Sequence, residues 1–191
     1  MPITYVVCID FEATCWNNRS DQPQEIIGKS NIRLMACFSV ANSKNTPPEF
    51  AGVFVDLTNR KTIGEFRKFL RPVENPELSQ YCKRLTGIKQ HEVDNGVLLE
   101  EALDKFHAWL ELIEAREDVK LNFESSSRNA ALVSWSNSDF GRYLKEECER
   151  KNISRKRYFL EWVDAQELYK VRVFFHGANS APTVVACSDF D

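Results

Sequence analysis

The chain has 191 residues, of which 43% are hydrophobic and 28% are charged, so it can build one domain with a substantial core. Its net charge is −3 at pH 7, and binding of nucleic acid must therefore depend on a local basic patch rather than on the charge of the whole chain. No apolar run approaches the roughly 18 residues that a membrane span needs, so no membrane association is expected.

Predicted strands dominate the first half of the chain. Residues 4–9 form a nearly continuous apolar run rich in β-branched side chains, which is typical of a central strand covered on both faces. Residues 52–57 predict a second strand, and the alternation in residues 65–70 predicts an edge strand paired with it. Residues 32–40 are a further candidate strand, followed by a loop.

The second half of the chain alternates between predicted helices and strands. The clearest helix is 98–114, because apolar side chains recur there at helical spacing with charged residues between them. Residues 140–151 predict a second long helix. A shorter helix is predicted at 78–84, a short turn or helix at 89–94 and a strand at 119–123. Residues 132–135 are apolar again, whereas 159–165 is mixed and 167–175 is ambiguous. Strands that cluster first and then alternate with helices indicate an α/β or α+β fold.

The six cysteines are scattered without a Cys-x-x-Cys pair, which argues against a zinc site. Because the sequence shows no secretory signal peptide, they are expected to be reduced thiols of an intracellular protein, in the cytoplasm or the nucleus.

Two carboxylates stand at the end of the first predicted strand, in "VVCIDFEATCW" at residues 6–16. Asp10 and Glu12 are two residues apart, so in an extended chain both side chains point to one side. Two such charges repel unless a cation lies between them, and oxygen ligands of this kind suit Mg²⁺ or Mn²⁺. With Asp139 as a third ligand, this pattern indicates two-metal hydrolysis of a phosphodiester, in which one ion generates hydroxide and the other steadies the leaving oxygen.

Simpler interpretations of the same carboxylates remain open at this point. A pair of acids after a strand is commonly a solvated strand end, and spacing alone does not distinguish it from a metal site. Asp139, like Ser138, stands at the start of a predicted helix, where either residue could be the N-cap.

Three segments together resemble a known family: "VVCIDFEATCW", "FLRPVENPELSQYCKRLTGIKQHEVDNG" and "SWSNSDFGRYLKEECERKNI". The chain resembles DEDDh-type 3′→5′ exonucleases, in the branch of the three-prime histone-mRNA exonuclease, the enhanced-RNAi nucleases and the nematode cell-death-related nucleases. The resemblance implies an RNase H-like α/β fold, with a mixed five-stranded sheet flanked by helices. It also implies a hydrolase that removes nucleotides one at a time from RNA or DNA 3′ ends with two Mg²⁺ or Mn²⁺ ions.

The resemblance also implies roles for individual residues. Asp10 and Glu12 match the first acidic motif and Asp139 the second, which makes these three the catalytic metal ligands. For substrate binding, it implies that the Ala13 backbone approaches the terminal nucleotide and that Leu85 packs against the terminal base. Phe140 would line the same pocket, although a core role is an equal alternative.

The family's third acidic motif, a histidine followed five residues later by an aspartate, is missing. The chain has only His91, His107 and His176, and positions 96, 112 and 181 are glycine, leucine and alanine. In the family this histidine is the general base, and its loss predicts an impaired exonuclease. Asp189 and Asp191 stand too far along the chain to supply the missing aspartate.

The exonuclease-like domain is expected at 1–170, with atypical insertions at about 28–50 and 124–132 and a divergent tail at 171–191. This pattern suggests an alternative or mispredicted splice product, because the sequence flanking each oddity stays intact. The alternative function is a non-catalytic nucleic-acid-binding or interaction module that keeps the fold. The basic run Arg150, Lys151, Arg155, Lys156 and Arg157 could serve it, although such a run is commonly a solvated helix end.

Overall fold

The computed structural model describes residues 3–18, 21–28, 50–121, 128–174 and 186–188. Its strands are β1 (Tyr5–Asp10), β2 (Glu12–Ala13), β3 (Ile26–Gly28), β4 (Phe50–Asp56), β5 (Lys61–Lys68), β6 (Ala130–Ser134), β7 (Glu161–Asp164) and β8 (Ala186–Ser188). Its α-helices are α1 (Gln80–Thr86), α2 (Gln90–Asp94), α3 (Leu99–Glu117), α4 (Lys145–Arg150) and α5 (Ala165–Phe174), with a π-helix at Ser138–Leu144 and a 3₁₀ turn at Arg157–Phe159. None of these described helices is long and apolar enough to cross a membrane.

A mixed sheet organises these elements in the order β5-β4-β1-β6-β7-β8. The inner strand β1 pairs antiparallel with β4 and parallel with β6, and β7 continues the parallel part. The predicted α/β class is confirmed, and the edge strand predicted at 65–70 is β5, which begins earlier, at Lys61, and ends at Lys68. The sheet has six strands rather than five, because β8 adds an antiparallel edge beside β7.

The two faces of the sheet bury different clusters. The larger cluster joins Val7 and Ile9 of β1 to the apolar stripe of α3. Here α3 approaches the sheet closely: a methyl group at Gly52 would lie 2.9 Å from Phe106 Cε2, and one at Gly64 would lie 2.7 Å from Ile113 Cδ1. The smaller cluster on the other face includes Val6, Cys8, Ala131 and Val133, with Ala165 and Leu168 of α5 packed against it.

Two sequence-based predictions need correction. Residues 119–121 lie outside any strand: Lys120 O accepts from Asn129 N and Ala130 N, but the Lys120 N–H donates to the Asn129 side chain and not to a strand carbonyl. Residues 122 and 123 of the predicted strand lie outside the described residues. The predicted helix at 140–151 starts earlier, as a π-helix at Ser138, and its N-cap is Asn137 rather than Ser138 or Asp139. The candidate strand at 32–40, most of the first predicted insertion, residues 124–127 of the second and most of the tail lie outside the described residues.

Candidate active site

The three predicted acidic residues converge at the end of β1. Asp10 is the last residue of β1, and Glu12 lies in the short strand β2 that follows. Asp139 lies in the first turn of the π-helix, and its Oδ1 accepts a hydrogen bond of 2.7 Å from the N–H of Phe11, the residue between the other two. A side chain 128 positions away is therefore anchored at the centre of the Asp-x-Glu pair.

Burial and like charge both act on the Asp139 carboxyl group. Its residue is 3% exposed. Burial, followed by the negative charge of Asp10, raises the pKa of Asp139 to about 7, with a smaller contribution from Glu12 and against the Phe11 hydrogen bond. The acidic cluster, defined as Asp10, Glu12 and Asp139, is therefore an electrostatically unbalanced site that a cation would stabilise.

A divalent cation fits this cluster by the chemistry of its donors. Three carboxylates offer the hard oxygen ligands that Mg²⁺ and Mn²⁺ prefer. Among the described residues, no three His, Cys, Asp or Glu side chains already stand in the arrangement of a metal site. The oxygen donors therefore suit a hard cation, although the three carboxylate groups do not stand in a coordination geometry among the described residues.

A two-stranded ribbon places Glu12 and Ala13. Glu12 pairs with Gly28 and Ala13 with Ile26, with a register irregularity between the two pairs. Beyond β2, the N–H of Thr14 donates to the carbonyl of Glu25 at 2.8 Å, and the N–H of Glu25 donates to Thr14 Oγ1 at 3.0 Å. The position of the edge that carries Glu12 therefore depends on how β3 is held.

A buried ion network holds β3 against α4 and defines what we call the clamp: Glu25, Glu147 and Lys151. Lys151 Nζ lies 2.8 Å from Glu25 Oε1 and 2.5 Å from Glu147 Oε1, and both carboxylate side chains are almost fully buried. The second oxygen of Glu147 accepts from the N–H of Ile26 at 2.6 Å. Glu25 also accepts from the backbone N–H groups of residues 73–75 at 2.7–3.1 Å.

The two carboxylates of the clamp respond differently to this environment. Burial would raise the pKa of Glu25, but the hydrogen bonds from Lys151 and from three backbone N–H groups lower it overall. Burial dominates at Glu147 and raises its pKa despite the contact with Lys151. The pKa of Lys151 is raised, because its two carboxylate partners outweigh the burial that lowers it.

The three predicted substrate-binding residues have different surroundings. Ala13 is buried beneath its neighbours, with the Cys82 thiol of α1 at 3.8 Å from its carbonyl oxygen. Leu85, at the end of α1, is 63% exposed and therefore open to a ligand. Phe140 is fully buried and packs edge-on against Phe11 with ring centroids 5.9 Å apart. Of the two roles left open for Phe140, the structure places it in the core.

A cleft of about 680 Å³ lies between the segment after β2 and the helix that carries Asp139. Its lining includes Cys15, Trp16, Gln24, Arg142 and Arg150. The two arginines also tie its walls together, since Arg142 donates to the Gln24 side chain and Arg150 to the Gln24 carbonyl.

Sequence reasoning missed several residues of this region. Tyr143 lies near the acidic cluster: burial raises its pKa, with contributions from Asp139 and Glu12 against that of Arg142. The clamp was missed as well, although Glu147 and Lys151 stand at the i, i+4 spacing of a helical ion pair. Only the position of Glu25, directly before the apolar residues Ile26 and Ile27, could have suggested that the ion pair of Glu147 and Lys151 is buried.

The described histidines lie in other surroundings. His91 is exposed on α2. His107 lies on α3, with Nδ1 3.4 Å from Tyr158 Oη and Nε2 3.4 Å from Glu111 Oε1. His91 is thus a surface residue and His107 a half-buried one with structural contacts, and His176 lies outside the described residues.

Comparison with known proteins gives a family for this arrangement. A family model described as exonuclease, of the RNase T type, matches residues 7–174. The 3′-5′ exonuclease Snipper of Drosophila melanogaster is 36% identical over 175 residues, which cover 88% of this chain and 55% of Snipper. ERI1 exoribonuclease 2 of Homo sapiens is 32% identical over 174 residues, which cover 87% of this chain and 22% of that protein. The chain thus spans 55% or less of the length of these relatives.

Solved structures agree on the fold. The nuclease domain of 3′hExo, a DEDDh family member bound to rAMP, superposes with a TM-score of 0.70 at 22% identity, covering 90% of this chain and 72% of that chain. Cell-death related nuclease 4 gives a TM-score of 0.70 at 22% identity, covering 96% of this chain and 52% of that chain. The expected RNase H-like mixed sheet flanked by helices is confirmed.

Proposed function

The chain belongs to the DEDDh group of the exonuclease family, and from this premise we propose that it is a 3′→5′ exonuclease-type domain acting on RNA or DNA 3′ ends. The observation that carries the proposal is the anchoring of Asp139 to Phe11 N–H, between Asp10 and Glu12. We also propose an intracellular location, which the free thiols of Cys15, Cys82 and Cys148 support.

The proposed function assigns metal binding and substrate binding to different residues. Asp10, Glu12 and Asp139 would hold two Mg²⁺ or Mn²⁺ ions, which supply Lewis acidity and an activated water when bound. The hydrogen bond from Phe11 fixes one oxygen of Asp139 and leaves the other available as a ligand. Exposed Leu85 would pack against the terminal base, while the backbone of Ala13 would face the terminal nucleotide.

We further propose that hydrolysis by this chain is impaired. None of its three histidines is followed by aspartate at the fifth position, so the motif that supplies a general base in the family is missing. General-base catalysis contributes about 10²–10⁴-fold to rate, and a loss of this size is expected here. The missing aspartate should also weaken at least one metal site.

A second candidate, a binding module without turnover, is favoured by the same missing motif. Two residues of the basic run proposed for it already form ion pairs within the chain. Lys151 is a member of the clamp, and Arg150 Nε lies 3.3 Å from Glu74 Oε2. Lys156 and Arg157 are exposed, and Lys156 could contact phosphates.

A trimming assay tests the proposed function. A 5′-labelled single-stranded RNA is incubated with Mg²⁺ and the purified chain, alongside Asp10→Asn and a matched Asp104→Asn control at an exposed position of α3. We expect slow shortening from the 3′ end that Asp10→Asn abolishes and Asp104→Asn leaves unchanged.

Each other outcome has a defined meaning. Trimming at ordinary enzyme rates, still dependent on Asp10, would refute the impairment while keeping the exonuclease. Salt-dependent binding of the RNA without any Asp10-dependent trimming would replace the exonuclease by the binding module.

A further inference from the structure

Two aromatic rings pair on the sheet face that α5 covers. Trp135 directly follows β6 and is half-buried, whereas Tyr169 of α5 is 55% exposed. Their ring centroids lie 6.2 Å apart with an interplanar angle of 46°. We call this pair the aromatic platform, and neither ring has a role in the site described above.

The strand register places the aromatic platform beside the acidic cluster. Strands β1 and β6 run parallel, with Cys8 opposite Val133, so β1, which ends at Asp10, and β6, which Trp135 directly follows, end at the same edge of the sheet. Side chains alternate along a strand, so Asp10 shares the face of Cys8, against which Leu168 of α5 packs. Trp135 contacts Tyr169 of the same helix, so the aromatic platform lies at the strand end next to that of Asp10.

Backbone hydrogen bonds hold this end of β6 in place. The carbonyl of Trp135 accepts from the N–H of Gln166 at 2.9 Å, which joins the platform to the first turn of α5. Ser134 Oγ donates to the carbonyl of Ser136 at 2.7 Å, and the N–H of Ser138 donates to Ser136 Oγ at 3.3 Å. The loop from β6 to Asp139 is thus ordered by its own contacts, and the platform is built before any ligand arrives.

We propose that the aromatic platform binds a nucleobase of the substrate strand by stacking, next to the phosphate that faces Asp10. Aromatic side chains stack on any base, because every base presents a π-face, and they commonly accompany a strand that is held by its backbone. The proposal rests on the proposed function, since it assigns the base to a strand whose 3′ end lies at the acidic cluster.

Simple core packing explains this pair less well. Core aromatics of this chain, such as Phe140 and Phe159, are fully buried, whereas most of Tyr169 faces solvent. Exposure of a large ring costs hydrophobic stabilisation that burial would provide. A ring that faces solvent beside a proposed nucleic-acid site, with a second ring tilted against it, can stack on a base.

Binding of 5′-fluorescein-labelled hexauridylate RNA, measured by fluorescence anisotropy with Ca²⁺ in place of Mg²⁺, tests the platform. The probe is checked on a denaturing gel to be intact. Three further probes each carry one abasic residue, at the last, second-last or third-last position. The variants are Tyr169→Leu, which removes the π-face at an exposed site, and Tyr169→Phe, which keeps it.

We expect Tyr169→Leu to weaken binding of the intact probe about tenfold and Tyr169→Phe to leave it nearly unchanged. The wild-type chain should bind one of the abasic probes about tenfold more weakly than the intact probe. The Tyr169→Leu variant should bind that abasic probe as well as it binds the intact one. Equal effects of Tyr169→Leu on every probe, no effect at all, or no binding by the wild-type chain would each overturn the proposal. If Asp10-dependent trimming fails while this pattern appears, only the proposed hydrolysis is lost.

Discussion

At the scale of single residues, one hydrogen bond decides how the acidic cluster is built. The N–H of Phe11 points at Asp139 Oδ1, so the main chain between Asp10 and Glu12 also positions the third carboxylate. Because Asp139 is 3% exposed, its charge is poorly screened by water and depends on its immediate partners. A cation in this place would relieve the repulsion that now raises the pKa of Asp139.

Substitution of Asp139 by asparagine should separate metal binding from folding. We expect Mn²⁺ to raise the melting temperature of the wild-type chain, because a ligand at about 100 times its dissociation constant adds roughly 2.7 kcal/mol of stability. For a chain of this size, that corresponds to about 5–10 °C. Asp139→Asn should melt at least as high without metal, since one repelling charge is gone, and should lose most of the Mn²⁺ response.

Differential scanning fluorimetry with a Mn²⁺ titration measures both effects. Asp104→Asn removes an exposed carboxylate on α3 and should keep the full response. An equal response in Asp139→Asn would mean that the ion binds elsewhere.

At the scale of elements, the clamp connects α4 to the ribbon that carries Glu12. Lys151 lies at the end of α4, and its two carboxylate partners are 0% and 1% exposed. Removing one member of a buried ion network leaves uncompensated charge, which costs more than the network contributes when complete. The position of β3, and through it that of β2, is therefore sensitive to one ammonium group.

Lys151→Met should lower the free energy of unfolding by about 3–5 kcal/mol, because two buried carboxylates lose their counter-ion. Lys105→Met is the matched control, since Lys105 pairs with Glu101 at the same i, i+4 spacing but on an exposed face. An exposed pair of this kind contributes under about 1 kcal/mol. Urea unfolding followed by tryptophan fluorescence measures both variants, and similar losses at the two sites would contradict the account of the clamp.

Elements differed in how well the sequence predicted them. Helix α3 was predicted within a few residues because its apolar stripe repeats over many turns. The π-helix was not predicted, because nothing in the pattern of Ser138–Leu144 separates it from an α-helix. Its extra residue per turn is a feature often found at functional sites, and here it holds Asp139. Asp139 was identified through the family motif, whereas its local pattern favoured a cap that the structure assigns to Asn137.

At the scale of the whole molecule, β1 has a buried cluster on each face, as its apolar run predicted. Spacing and family motif agree on Asp10 and Glu12, whereas the prediction of Asp139 depends on the family motif alone. The clamp and the aromatic platform could not be found from sequence, since each joins residues more than 30 positions apart that only the sheet brings together. Long-range pairing therefore limits what a single sequence can predict here.

The free energy of unfolding at acid pH should depend on the ionisation of Glu25. Its pKa is lower in the folded chain than the roughly 4.3 of an unfolded glutamate, because Lys151 and three backbone N–H groups favour the charged form. A carboxyl group whose pKa is lower in the folded than in the unfolded chain stabilises the fold at pH values above its unfolded pKa. This stabilisation is lost as the pH falls from the unfolded pKa through the folded pKa. Glu147 acts in the opposite sense. Burial raises its pKa, so protonation at acid pH removes the free-energy cost of a buried charge.

Glu25→Gln resembles the protonated side chain in shape, so it should destabilise the chain at pH 7 and lose this effect at acid pH. The difference in unfolding free energy between wild type and variant should shrink steadily below about pH 4.3, where Glu25 of the unfolded wild-type chain begins to take up its proton. Urea titrations between pH 3 and 7 measure it, with Glu77→Gln at an exposed position as the control. A difference that stays constant over this range would show that Glu25 stabilises the fold by shape and hydrogen bonding rather than by its charge.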